Sequence, residues 1–167
     1  FCCCKTAQEW KKRTVYQFLT DRFANSQANF QPCNNLHHYC GGNYGSASEQ
    51  LDYIESLGFD AIWISPIVEN TRNGYHGYWM KNLYALNPHF GSEKEFVSFL
   101  EEASQRDIWI MVDVVANHVG PVGNDFSLIT PFNQTEHYHD CAHCDPVSCS
   151  IQDYNCFTYD VQKCRLS

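Results

Sequence analysis

The sequence predicts an α/β fold built on a parallel sheet, and three observations carry that prediction. Residues 14–20, 59–65 and 108–115 are apolar, β-branched or aromatic runs of strand length. Between them lie two stretches with apolar residues at helical spacing, each opened by a capping-box pattern. Strands alternating with helices of this length argue for parallel pairing through right-handed crossovers.

Taken in order, residues 1–13 carry Cys2, Cys3 and Cys4 and show no clear periodicity. The first strand, Thr14-Val-Tyr-Gln-Phe-Leu-Thr20, runs into Asp21-Arg22-Phe23-Ala24. A polar loop with Pro32, Gly41 and Gly42 follows, and the closeness of Cys33 and Cys40 within it points to a local disulfide. Ser46-Ala-Ser-Glu49 has capping-box form, Leu51, Ile54 and Leu57 share one helical face, and Gly58 stands where a C′ glycine would end the helix. The second strand, 59–65, is stopped by Pro66. Ser92-Glu-Lys-Glu95 opens the second helix, whose apolar face is Phe96, Phe99, Leu100 and Ala103 and whose end falls near Arg106. The third strand follows at once and reads as buried on both faces. It breaks off at Ala116 into Asn117 and His118, polar groups at the carboxyl end of a strand, where parallel α/β folds collect ligands.

The stretch 66–91 is long for a connector, and loops of that length in compact domains are usually functional. It holds Tyr75-His-Gly-Tyr-Trp79, three rings and an imidazole in five residues. Such rings either pack over the sheet or form a stacking platform for a flat apolar surface such as the C–H face of a sugar.

Composition narrows the partners. The 167 residues carry a net charge of −8, and the 11 Lys and Arg gather nowhere beyond Lys11-Lys12-Arg13, which argues against nucleic acid. No apolar run approaches the ~20 residues a membrane span needs. Ten cysteines fit an oxidising compartment, and the sequon Asn133-Gln134-Thr135 makes Asn133 a glycosylation candidate. The expected location is therefore extracellular.

Four motifs occur in one order: Thr20-Asp-Arg-Phe-Ala24, Gly58-Phe-Asp-Ala-Ile-Trp-Ile-Ser-Pro66, Tyr75-His-Gly-Tyr-Trp79 and Asp113-Val-Val-Ala-Asn-His118. Together they resemble the secreted fungal-type α-amylases, retaining glycoside hydrolases with a TIM-barrel catalytic domain. The resemblance implies a TIM (β/α)8 barrel, of which this chain supplies the first three strand–helix units and the irregular domain inserted after the third strand. It divides the chain into an N-terminal barrel part, 1–118, and the start of a calcium-associated insert, 119–167. The implied reaction is hydrolysis of internal α-1,4-glucosidic bonds in starch or glycogen, by a protein acting as a monomer.

The resemblance also implies roles residue by residue. The position of Tyr78 stacks on the sugar next to the scissile bond, that of Trp79 lines the donor side of the cleft, and that of His118 hydrogen-bonds the same sugar. Tyr75 and His76 belong to the same sugar-facing motif. Asn117 and the backbone carbonyl of Gln162 are the implied calcium ligands, both hard oxygen donors. Cys33 and Cys40 match the family's short N-terminal disulfide loop, and Cys149 and Cys164 the ends of another in the insert.

No carboxylate here matches a catalytic motif. A retaining glycosidase needs two about 5–5.5 Å apart, and the family places them after later strands than the three read here; Asp21, Asp60, Asp113 and Asp125 are not among them. The chain is therefore expected to be the N-terminal part of a longer enzyme and inactive alone. Two departures keep alternatives open. Cys2, Cys3, Cys4, Cys141, Cys144 and Cys156 have no family counterpart, and His137-Tyr-His-Asp-Cys-Ala-His-Cys144 has spacing that a zinc site could use, although the even cysteine total favours further disulfides. The rival functions are another activity of the family, α-glucosidase or transglycosylase, a catalytically inactive carbohydrate-binding or interaction domain, and a Cys/His zinc module on an unrelated α/β domain.

Overall fold

In the computed structural model, residues 5–26, 32–123 and 125–138 are described. The first described element is a single helical turn, α1 (Ala7–Trp10), opened by a capping box between Thr6 and Glu9. Strand β1 (Val15–Phe18) leads into a second short turn, α2 (Thr20–Phe23). Next come α3 (Tyr44–Ser48), α4 (Leu51–Ser56), β2 (Ala61–Ile64), β3 (Val68–Asn70), β4 (Met80–Leu86), α5 (Glu93–Gln105) and β5 (Trp109–Val112).

Strands β1, β2 and β5 form one sheet in that order, and both pairings are parallel. The register aligns Tyr16 with Ile62 and Ile110, and Phe18 with Ile64 and Val112. These two rows line the face on which the helices pack, since all six residues join one cluster with Tyr44, Leu51, Ile54, Phe90, Phe99, Ala103 and Ile108. The strand–helix–strand–helix–strand order is thus the one expected, with α3–α4 and α5 as the crossovers. Among the described residues no helix is long and apolar enough to cross a membrane.

Three local expectations are corrected. The first long helix is capped by Asn43, whose side-chain oxygen accepts from the Ser46 amide at 2.9 Å. Ser46 sits inside α3, buried, with its hydroxyl accepting from the Ser26 amide at 3.0 Å, and the helix is interrupted at Glu49-Gln50 before α4 begins. The stretch 66–91 is not a bare loop: β3 and β4 pair antiparallel within it. Strand β5 is not buried on both faces. Its pairing ends at Val112, Met111 is 36% exposed and Val114 78% exposed. The row opposite the helices, Gln17, Trp63 and Met111, has no such apolar layer over it among the described residues, whereas in central β2 the residues Ala61, Ile62 and Ile64 are buried.

Beyond β5 the described chain has two 3-10 turns, Phe126–Leu128 and Thr135–His137. Thr130 docks on β4 as an isolated parallel bridge to Asn82, with the Thr130 amide donating to Lys81 O at 2.8 Å and the Leu83 amide to Thr130 O at 3.0 Å. Helix α5 confirms its expected capping box: the Ser92 hydroxyl accepts from the Glu95 amide while the Glu95 carboxylate accepts from the Ser92 amide at 2.7 Å. Gly58 adopts the expected left-handed conformation, φ +85°.

Candidate functional site

The carboxyl ends of the three parallel strands are joined by short polar contacts. The Thr20 amide, just past β1, donates to Ser65 Oγ past β2 at 3.0 Å, and the Asp113 amide, past β5, donates to Ile64 O at 3.1 Å. Over this end folds the tip of the β3–β4 hairpin. Asn70 organises the tip: its side-chain oxygen accepts from the Trp79 amide at 2.6 Å, and its amide nitrogen donates to Val68 O at 2.9 Å and Gly77 O at 3.2 Å. Gly77, at φ +87°, lies so close to Pro66 that a Cβ there would come within 2.7 Å of its ring and carbonyl. Only glycine satisfies both the dihedral and the approach.

That tip carries the four aromatic side chains singled out in the sequence. The His76 ring stacks near-parallel on Tyr78 at 5.7 Å and meets Trp79 edge-on at 4.8 Å, while Tyr75 contacts His76 at 5.0 Å. His76 Nδ1 accepts from the Tyr78 amide at 3.0 Å, which places the proton of a neutral ring on Nε2. Burial, then the nearby Arg22 and His118, lower the His76 pKa below its ordinary value, so the ring stays neutral at pH 7.

The tip is tied to the third strand end at two points. The Tyr78 hydroxyl donates to Asp113 Oδ2 at 2.6 Å, and that hydrogen bond, followed by burial, raises the phenol pKa. His118 Nε2 lies 2.9 Å from Tyr78 O, an acceptor, so Nε2 carries the proton. Nδ1 is then free of a proton and accepts from Asn117 Nδ2 at 3.3 Å. The arrangement sets aromatic faces and ring N–H and O–H groups beside one another, the chemistry that grips a polyhydroxylated ring from its flat side.

A second set of contacts was missed in the sequence. Asp21, with a side chain 0% exposed, accepts from the Cys40 amide at 2.8 Å and the Gly41 amide at 3.2 Å, and pairs with Arg22 Nε at 2.7 Å. Arg22 also donates to Leu36 O and His38 O, at 2.8 and 2.9 Å, inside the loop closed by the Cys33–Cys40 disulfide. Its guanidinium lies 3.8 Å over the Tyr75 ring. The available signal was an Asp-Arg pair directly after a strand's carboxyl end.

Tyr75, His76, Tyr78, Trp79 and His118 are therefore brought together, and Cys33 and Cys40 are bridged. Asn117 is exposed beside His118, and Asn133 is exposed at the start of its sequon. Gln162, the Cys149 and Cys164 pair, and Cys2, Cys3, Cys4, Cys141, Cys144 and Cys156 lie outside the described residues, as does most of the zinc-like run. Among the described residues no group of three or more His, Cys, Asp or Glu side chains could hold a metal ion. Asn117 fits calcium as a hard oxygen donor, but calcium takes six to eight oxygens and the described residues supply one named candidate.

Known proteins resemble the chain along most of its length. The family described as "Alpha amylase, catalytic domain" matches residues 17–152. "Alpha-amylase mde5" of Schizosaccharomyces pombe is 46% identical over 140 residues, covering 78% of this chain and 27% of that protein. The alpha-amylase of Saccharomycopsis fibuligera is 42% identical over 145 residues, covering 80% and 29%. Among solved structures, an alpha-amylase from Malbranchea cinnamomea superposes with a TM-score of 0.77 at 41% identity, over 84% of this chain and 32% of that one. An alpha-amylase from Geobacillus thermoleovorans, solved in complex with acarbose, matches with a TM-score of 0.61 at 40% identity, over 66% and 24%. The chain thus spans less than a third of the length of these relatives. Its three parallel strands and two helical crossovers are part of the TIM barrel to which these structures belong. The chain belongs to the alpha-amylase catalytic-domain family.

Proposed function

We propose that this chain supplies a sugar-gripping wall of an α-amylase that hydrolyses internal α-1,4-glucosidic bonds of starch or glycogen with retention. The observation that carries the reading is the tip of the hairpin locked to the third strand end, with Tyr78 held by Asp113 and His118. In this reading a glucose ring lies with its C–H face on Tyr78, Trp79 flanks it, and His118 hydrogen-bonds a hydroxyl. That hydrogen bond from His118 strengthens as the ring flattens toward the oxocarbenium-like transition state.

Asp113 is not read as a nucleophile, because its carboxylate is occupied by the Tyr78 hydroxyl. Asp21 is not either, being wholly buried among its own donors. The two catalytic carboxyls belong to later strands of the barrel. Residues 1–118 are assigned to the barrel and 119–167 to an inserted domain, with Asn117 and the Gln162 carbonyl holding calcium between them. The ion would supply rigidity at that junction. The Cys33–Cys40 bridge and the exposed Asn133 sequon support a secreted glycoprotein.

The test is the protein carrying this chain, assayed on starch, with the anomer of the first product read by NMR. Release of the α-anomer is expected, and His118→Ala should lose about 30- to 1000-fold in kcat/KM, the ~2–4 kcal/mol typical of a lost transition-state donor. Near-normal kcat/KM in that variant, or a β-anomer product, would refute the reading.

A further inference from the structure

We propose that Arg22 is a positioning residue for sugar binding, holding the Tyr75 ring, and through it the aromatic tip, against the Cys33–Cys40 loop. This deepens the reading given above and rests on it. The two halves of the tip are fixed differently. Tyr78 and Trp79 are hydrogen-bonded to other elements, through Asp113, His118 and Asn70. The hydrogen bonds of Tyr75 and His76 run within the tip: the Tyr75 amide donates to Asn73 O at 2.8 Å and His76 Nδ1 accepts from the Tyr78 amide. His76 also meets the rings of Tyr78 and Trp79, and Tyr75 lies under Arg22, which ties it to the first strand's end.

A guanidinium suits that task because its donors lie in the plane and its faces are left for stacking. Here the Nε and Nη2 donors are used on Asp21, Leu36 O and His38 O, so the plane is set by three partners before it meets Tyr75. Asp21 in turn is fixed by the Cys40 and Gly41 amides, and Cys40 by its disulfide. The order set there passes through the rings: Arg22 at 3.8 Å from Tyr75, Tyr75 at 5.0 Å from His76, and His76 at 5.7 Å from Tyr78. The sequence holds a cation at one end of this row and the sugar-stacking rings at the other.

The experiment compares Arg22→Gln and Arg22→Lys with Arg106→Gln, which removes an ion pair with exposed Asp52 on the helix layer. Steady-state kinetics on maltoheptaose and the His76 imidazole titration by NMR, assigned with His76→Gln, are measured for each in the protein carrying this chain. Loss of alignment removes binding shared by ground and transition states, so KM should rise about fivefold or more with kcat within about twofold. The His76 titration should move upward in Arg22→Lys, which keeps the cation that also lowers it, and stay in place in Arg106→Gln. Should Arg22→Gln not fold, Arg22→Lys decides, since it keeps a cation beside Asp21 but has no planar face, and its KM should rise alike. An unchanged KM, a loss confined to kcat, or the same KM rise in Arg106→Gln would overturn the proposal. A wild-type protein that neither binds nor cleaves maltoheptaose defeats the functional reading instead. The His76 titration of Arg22→Lys then judges the positioning alone, upward movement supporting it and no movement overturning it.

Discussion

Replacing Asp21 by alanine is expected to destabilise the protein far more than a surface charge would. The carboxylate is 0% exposed and serves three donors at once: the Cys40 amide, the Gly41 amide and Arg22 Nε. Alanine leaves all three without it. A buried donor left unsatisfied costs about 1–3 kcal/mol, and breaking one side of a buried ion pair costs about 3–5 kcal/mol. Water can reach Arg22, whose side chain is 22% exposed, so its share is the smaller part. Together these put the loss at about 3–5 kcal/mol. Asp21→Asn keeps an oxygen for the Cys40 amide and should lose about half of that. The assay is urea unfolding at pH 7 followed by tryptophan fluorescence, with the slope checked for constancy so that the midpoint shift reports stability. A loss below ~1 kcal/mol for Asp21→Ala would refute the claim that this carboxylate anchors the loop.

Three further outcomes are expected. Phe99→Ala empties the space between α5 and the Tyr44 ring and should cost about 3–5 kcal/mol in the same unfolding assay, Phe99 being wholly buried. His76, whose folded pKa is lowered, takes up its proton more readily when unfolded, so its contribution to stability is complete above the unfolded value of 6.5 and disappears as pH falls through the folded one. The stability difference between wild type and His76→Gln, followed from pH 8 to 5, should therefore change only below about 6.5. Asn117→Ala should lower the melting temperature, and excess calcium should restore part of it by mass action; a melt indifferent to both the mutation and chelator speaks against the calcium assignment.

Much of the fold is legible because burial leaves a chemical trace. The apolar strands had to be apolar to sit under α3, α4 and α5, and the Ser92–Glu95 box had the right residues with no nearby rival. The Ser46–Glu49 pattern was misread because Asn43, three residues earlier, caps as well as serine and reaches the Ser46 amide first. Strands β3 and β4 escaped notice since Val-Glu-Asn and Met-Lys-Asn-Leu-Tyr-Ala-Leu lack a clean alternation, and their pairing contains register shifts. The aromatic tip was visible as a cluster in sequence. Its link to Asp113 was not, because those residues stand 35 apart in the chain. Asp21 and Arg22 stand out in the sequence only as part of a motif at a strand's end, and only packing reveals that the carboxylate is buried.

The central claim is that the hairpin tip and the third strand end form one sugar-binding surface. The most direct measurement is a crystal structure of the protein carrying this chain, soaked with acarbose. A sugar ring is expected face-on against Tyr78, with Trp79 at its flank and a sugar hydroxyl within hydrogen-bonding distance of His118. Acarbose bound elsewhere, with Tyr78 and His118 untouched, would contradict it.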